Sequence, residues 1–196
     1  MEPLRNLFLR YGTDKEMNGY TPYYERLFES TRHKKVRLAE IGIGTLIPNA
    51  PSSMVGYGEA NYRTGASLMA WRDFFDHPES EVHGFDIASD TQITGEDRVT
   101  THLLNSTDRA AVDQFLAAHP EQFDIIVDDG CHRDTSQLET VRNLWRALKP
   151  GGYYVIEDIY PGSRLVTDFR GFFDCVVENS PWLLSTKQNL LFIFKQ

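Results

Sequence analysis

With 196 residues, 41% of them hydrophobic and 12% aromatic, the chain has the size of one compact domain and enough apolar material to fill a core, which excludes disorder over its whole length. Against 28 Asp+Glu, 20 Lys+Arg leave a net charge of −8 and no dense basic block, so a broad nucleic-acid-binding face is a poor fit and a small-molecule partner a better one. Cys131 and Cys175 are the only cysteines, too few for a disulfide framework, and the sequence shows neither a basic-then-apolar leader nor a run of ~18 apolar residues, so the expectation is a soluble cytoplasmic protein with no membrane partner.

In chain order, Thr21-Pro22 reads as an N-cap with proline at the first helical position, opening a helix through Tyr24, Leu27 and Phe28. Val36–Ile41 is a short β-branched and aliphatic run, a buried strand, ending in Glu40-Ile41-Gly42-Ile43-Gly44. The stretch Thr45–Thr64 shows no helix or strand period. Connections beyond ~12–15 residues are uncommon in compact domains, so this one reads as a lid offering Met54, Tyr57 and Tyr62 to a ligand, or else as an exposed insertion.

Leu68, Trp71 and Phe75 then fall at helical spacing, followed by strands at Val82–Phe85 and Val99–Leu104. A helix carrying Val112, Phe115 and Leu116 leads to a strand at Asp124–Val127, and a helix carrying Leu138, Val141, Trp145 and Leu148 stops at Lys149-Pro150-Gly151-Gly152. Tyr153–Ile156 is the next strand. An apolar helix around Phe169–Val177 and the run Leu190–Phe194 leave room for two more strands, one of them antiparallel.

Strands alternating with crossover helices predict an α/β, doubly wound, Rossmann-like fold: a mostly parallel seven-stranded sheet with one antiparallel strand and helices on both faces. The expected organisation is a single domain over 1–196, with 1–34 as a helical cap and 35–196 as the core.

In such sheets ligands bind beyond the carboxyl ends of the strands, where strand order reverses. Gly42 and Gly44 suit a tight turn close to a ligand, but the third glycine of a dinucleotide fingerprint would fall at Ile47, which weakens a nicotinamide reading. Asp86, closing its strand, is placed to accept hydrogen bonds from ribose hydroxyls. Asp129 ends one strand and Glu157-Asp158 the next, and adjacent strands lie ~4.8 Å apart, so three carboxylates converge. Singly each reads as a turn or solvated acid; together they call for a cation, and all-oxygen ligation points to a hard ion, Mg2+ first. His132, three residues past Asp129, can face the same ligand and accept a proton, whereas His33, His77, His83, His102 and His119 have no comparable setting. Cys131 reads as a small packing residue.

The Glu40-x-Gly42-x-Gly44 turn, the acid Asp86, the acidic strand end at 128–129 and Leu148-Lys149-Pro150-Gly151-Gly152 together resemble the class I S-adenosylmethionine-dependent methyltransferases over most of the chain. Tyr11-Gly12-Thr13-Asp14-Lys15 with Tyr20, Gly65-Ala66-Ser67-Leu68 with Trp71, Asp128-Asp129-Gly130-Cys131-His132 and Ile156-Glu157-Asp158 are similar, more specifically, to the metal-dependent macrolide sugar O-methyltransferases of the mycinamicin type. The resemblance implies an O-methyltransferase of natural-product biosynthesis using S-adenosylmethionine and Mg2+ on a small hydroxylated acceptor, a sugar diol or catechol. It implies that Thr13, Lys15, Tyr20, Glu40, Gly42, Gly44, Ser67, Asp86, Asn105, Ser106 and Asp128 line the cofactor, with Asn105-Ser106 at its adenine and Thr13 and Lys15 near its methionine end. Asp129, Glu157 and Asp158 would hold the metal, and Asp129 and His132 would act on the acceptor. A metal-independent methyltransferase, a noncatalytic cofactor-binding module and a homo-oligomer all stay open.

Overall fold

The computed structural model describes residues 2–50, 52–56, 62–160, 162–165 and 189–195. Two helices, Leu4–Tyr11 (α1) and Thr21–Phe28 (α2), precede the first strand, Arg37–Ile41 (β1). Then come Ala66–Phe74 (α3), Glu81–Asp86 (β2), Val99–Leu103 (β3), Arg109–Ala118 (α4), Phe123–Asp128 (β4), Asp134–Leu144 (α5), Leu148–Ile156 (β5) and Leu191–Phe194 (β6). None of the described helices is long and apolar enough to cross a membrane.

The strands lie in the order β3-β2-β1-β4-β5-β6, parallel throughout except for β6 against β5. This is the expected doubly wound class, with six strands among the described residues against the seven expected. The helix expected at Phe169–Val177 and Cys175 lie outside the described residues. On one face, α1, α2 and α3 pack Phe8, Tyr24 and Phe28 around the fully buried Trp71, with ring centroids 5.1 Å apart for Phe8–Trp71 and 5.0 Å for Tyr24–Trp71. On the other, Val112 of α4 and Val141 and Leu144 of α5 pack on Ile126, Tyr154 and Ile193 of the sheet. Each large apolar side chain removed from water in this way contributes about 1.5–3 kcal/mol, so both layers hold the strand ends rigidly.

Two local expectations are corrected, and the helical cap expected over 1–34 gains a helix not assigned from the sequence: Leu4, Leu7 and Phe8 form the buried face of α1, and Gly12, at φ +74°, turns the chain out of it. Thr21 does not cap α2, because its hydroxyl bonds the Glu16 carboxylate at 2.5 Å, and Pro22 falls at the second helical position. α5 ends at Leu144 and β5 already begins at Leu148, because Pro150, Gly151 and Gly152 form an irregular start to the strand, with Gly151 N–H on the Lys195 carbonyl at 2.6 Å and Lys195 N–H on that of Gly152 at 3.0 Å.

Strand order reverses at β1, which has β2 on one side and β4 on the other. Ile41 pairs with Phe85 and with Asp128, and Asp128 pairs with Ile156. The next residue of each strand therefore joins one row along the carboxyl edge: Asp86, Gly42, Asp129 and Glu157.

Candidate active site

The row is tied together through the backbone. Gly42 N–H donates to the Phe85 carbonyl at 2.8 Å, Asp129 N–H to that of Ile41 at 2.8 Å, and Glu157 N–H to that of Asp128 at 2.9 Å. Gly42 sits at φ +78°, and a Cβ there would overlap the Asp129 carbonyl oxygen, so this glycine lets two strand ends meet. The sequence reading had assigned its small size to a ligand. Gly44, at φ +72°, is covered by Tyr62, whose hydroxyl donates to the Ile43 carbonyl at 3.1 Å.

Both oxygens of Asp86 are engaged, by Ile43 N–H at 3.0 Å and Ala88 N–H at 2.9 Å, so this carboxylate also pins the glycine turn. Each oxygen keeps a second lone pair. Beside it Ile87 and Leu103 are 54% and 58% exposed, apolar surface suited to a planar base. Asn105 accepts from Thr107 N–H at 3.1 Å and from the Thr107 hydroxyl at 2.8 Å, while Ser106 shares a hydrogen bond with Thr140 at 3.0 Å; both shape the turn after β3. Thr13 and Ser67 are buried.

The described part of the 45–64 stretch is hydrogen-bonded. Thr45 and Ser53 form a parallel bridge, and Asp90 accepts from the Thr45 hydroxyl and from Leu46 N–H. Tyr57, Gly58 and Asn61 lie outside the described residues.

The acids form two layers. In the inner one, the Lys15 ammonium stands 2.8 Å from Asp129 Oδ2, 2.8 and 2.9 Å from the two Glu157 oxygens, and 2.9 Å from Glu40 Oε1. The Tyr24 hydroxyl also donates to Glu157. Burial opposes the lysine's charge, but the three acids outweigh it and hold its pKa well above the ordinary value. Burial pushes Glu157 and Glu40 up, because one ammonium cannot offset three carboxylates. Asp128, fully enclosed, is pushed up to about 7 by burial, and Gly130 N–H and the Tyr154 hydroxyl soften that effect.

The outer layer is more open. His132 Nε2 lies 3.4 Å from Asp129 Oδ1 and 3.4 Å from Asp158 Oδ2, with about a third of its side chain exposed. The Tyr20 hydroxyl donates to Asp158, whose backbone sits at φ +54°. One ligand atom each of Asp129, His132 and Asp158 fall within 4.8 Å of one another, and His132 Nε2 is a buried atom without a hydrogen-bond partner. Facing Asp129 pushes the ring up to about 9. Asp129 is held below the usual range because Lys15 and His132 overcome its burial. Two carboxylates, Asp129 and Asp158, facing one place at the open side of the cluster with an imidazole beside them fit a hard divalent cation with open positions.

Lys15, Tyr20, Glu40, Gly42, Asp86, Asp129, His132, Glu157 and Asp158 thus gather at one edge, Asn105 and Ser106 make their contacts in the turn after β3, and two residues differ from expectation. Lys15 spends its N–H groups on protein carboxylates, since an ammonium has three donors and here meets three acids. Cys131 is exposed, because the turn leaving β4 aims Asp129 and His132 inward and residue 131 outward. The sequence reading missed Asp14, pushed up first by burial and then by the charge of Asp129, and Tyr24, whose helical spacing marked it as core only.

Residues 59–159 match a protein-family model described as a methyltransferase domain. Demethylmacrocin O-methyltransferase of Streptomyces fradiae is 35% identical over 159 residues, covering 80% of this chain and 36% of that protein. Mycinamicin VI 2''-O-methyltransferase of Micromonospora griseorubida is 33% identical over 159 residues, with the same shares. Among solved structures, the MycE methyltransferase of the mycinamycin pathway, in complex with Mg, SAH and mycinamycin VI, superposes with a TM-score of 0.77 at 25% identity, covering 99% of this chain and 54% of that one. The chain spans a little over a third of the length of these curated relatives.

Proposed function

The chain belongs to the methyltransferase-domain family, and on that footing we propose that it is a Mg2+-dependent O-methyltransferase that uses S-adenosylmethionine to methylate a hydroxyl of a small metabolite, a sugar diol or a catechol. The observation that carries this reading is the pair of carboxylates Asp129 and Asp158 facing one place beside His132, at the carboxyl edge where β4 and β5 end. A further relative, the 8-demethyl-8-(2-methoxy-alpha-L-rhamnosyl)-tetracenomycin-C 3'-O-methyltransferase of Streptomyces olivaceus, 35% identical over 159 residues, carries a rhamnosyl group in its name and favours a sugar hydroxyl.

When bound, S-adenosylmethionine supplies an activated methyl group and Mg2+ a Lewis acid that orients an acceptor hydroxyl and makes it more acidic. Asp129 and Asp158 hold the ion in this reading, with Glu157, the third acid of the expected set, one layer beneath them. The glycine turn 42–44, Asp86 and the 105–106 turn bear the cofactor, with Thr13, Tyr20, Glu40, Ser67 and Asp128 around it.

His132 Nε2 takes the acceptor's proton. An alcohol keeps its proton at neutral pH, and the ring accepts it only once the negative charge of Asp129 and Asp158 is offset, because that charge is what holds the ring protonated. The chain's own part in an in-line transfer would be to hold the acceptor oxygen opposite the sulfonium leaving group and to take its proton at His132, the electron pair of the broken carbon–sulfur bond being left on the cofactor's sulfur. Positioning supplies most of the acceleration, since the leaving group is already activated. The net charge of −8 agrees with a small-molecule acceptor.

The test is methyl transfer from labelled S-adenosylmethionine to panels of diols, catechols and amines. Transfer to a hydroxyl that EDTA abolishes and Mg2+ restores is the expected result. Full turnover after chelation refutes the metal role, and S-adenosylhomocysteine binding without transfer to any panel leaves a noncatalytic module.

A further inference from the structure

Lys15 is the one cation of the inner layer. Its side chain is 1% exposed, as are those of Glu157 at 1% and Glu40 at 0%. The segment that carries it is itself folded: after Gly12 the chain makes a compact turn in which Asn18 N–H bonds the Asp14 carbonyl at 2.9 Å and Tyr20 N–H that of Lys15 at 2.9 Å. The lysine is thereby aimed inward, while Tyr20 and Tyr24 reach Asp158 and Glu157 from the same side. The ammonium hydrogen-bonds Asp129 and both oxygens of Glu157 and ion-pairs with Glu40 Oε1, so its charge is committed to protein carboxylates.

We propose that Lys15 is a positioning residue that serves as a resident cation: before a divalent ion arrives it holds Glu40, Asp129 and Glu157 assembled, fixing Asp129 by Oδ2 so that Oδ1 faces the ion's place beside His132. This rests on the reading that Asp129 and Asp158 bind a divalent cation. A buried carboxylate without a counter-charge is strongly unfavourable, and three would drive each other apart. The ammonium removes that conflict at the side of the cluster away from solvent, leaving the open side for the ion. Lysine and divalent ion therefore draw on the same negative charge, and each weakens the hold of the other.

The experiment compares wild type, Lys15→Met and the charge-balanced pair Lys15→Met/Glu157→Gln by thermal unfolding in EDTA and in saturating Mn2+, with Mn2+ affinity read by electron paramagnetic resonance. In EDTA, Lys15→Met is expected to melt roughly 10 °C below wild type. Mn2+ recovers most of that loss and binds the variant about tenfold or more tighter than wild type, since a like charge near the ion is gone. Glu157→Gln added to Lys15→Met raises stability in EDTA with no metal present, because it removes one unbalanced anion. A loss equally large with and without Mn2+, or unchanged melting of Lys15→Met in EDTA, overturns the proposal. So does a double variant no more stable or soluble than the single one. Wild-type protein that binds no Mn2+ refutes the metal reading instead, and the EDTA comparison still decides whether Lys15 is the counter-charge.

Discussion

Gly42→Ala tests whether the glycine turn is a packing joint between strands. At φ +78° an alanine carries a left-handed backbone strain of about 1–2 kcal/mol. Its Cβ would also stand 2.6 Å from the Asp129 carbonyl carbon and 2.7 Å from Gly130 Cα, backbone atoms that cannot swing aside as a side chain can. Forcing such an overlap apart costs about 1–3 kcal/mol more. The sum is about 2–5 kcal/mol, and at ~2–4 °C per kcal/mol for a domain of this size the melting midpoint falls by roughly 4–20 °C. Because β4 must retreat, Asp129 moves with it, so Mn2+ affinity drops together with S-adenosylhomocysteine affinity, both measured by calorimetry. Gly44→Ala is the control: a Cβ there meets the ends of Tyr62 and Met54, which can yield, so the backbone strain remains and metal affinity is kept. Gly42→Ala melting within about 1 °C of wild type, with normal Mn2+ binding, would refute the joint.

His132→Gln is expected to lower turnover by about 10²–10⁴-fold while leaving S-adenosylhomocysteine affinity unchanged; a rate within about twofold of wild type removes His132 as the proton acceptor. His102 is pushed down to about 4, by burial first and then by the charges of His83, His119 and Arg37, so it stays neutral in the fold and takes a proton more readily when unfolded. Its contribution is full above the unfolded pKa of ~6.5 and is lost as pH falls toward 4, by about 1–2 kcal/mol after discounting for partial exposure, so acid should lower the melting midpoint of wild type more than that of His102→Phe, and parallel pH profiles would sink the idea.

The fold was legible because each buried strand announced itself as a short β-branched or aromatic run and the helices α2 to α5 by their periods, whereas α1 did not. Val82–Phe85 and Leu68–Trp71–Phe75 needed no further context. The failures came where local rules met tertiary demand. Pro150-Gly151-Gly152 signals a break, yet the Lys195 backbone supplies hydrogen bonds to both glycines and the segment enters β5. Thr21 has the chemistry of a cap, but Glu16 competes for its hydroxyl.

Of the site, the convergence of Asp129, Glu157 and Asp158 followed from strand spacing alone, whereas their division into two layers did not, because it depends on a lysine 114 residues away from Asp129 in sequence. The histidines at 83, 102 and 119 carried no pattern either. They meet only because β2, β3 and α4 pack together, with His83 Nδ1 3.1 Å from His102 Nε2 and the His102 and His119 ring centroids 5.6 Å apart.

The two histidine environments show how one fold keeps opposite charge states apart. Around His102 the neighbours are imidazoles, an arginine and the aromatic rings of Phe85 and Phe115, so burial first and then nearby basic groups oppose a proton there. Around His132 the neighbours are carboxylates, and the proton is retained until their charge is offset. Sensitivity to a cation therefore belongs to the edge where β1, β4 and β5 end, and the distinction is set by which strand ends carry acids. Asp86, the acid at the end of β2, has both oxygens on backbone N–H groups, and β3 ends in Leu103. The acids free to meet an ion thus lie on the β4 and β5 side of the glycine turn, and the apolar surface of Ile87 and Leu103 lies on the other. In the proposed reading that separation would give an adenine-bearing cofactor and a cation different halves of one edge, with Gly42 at the boundary between them.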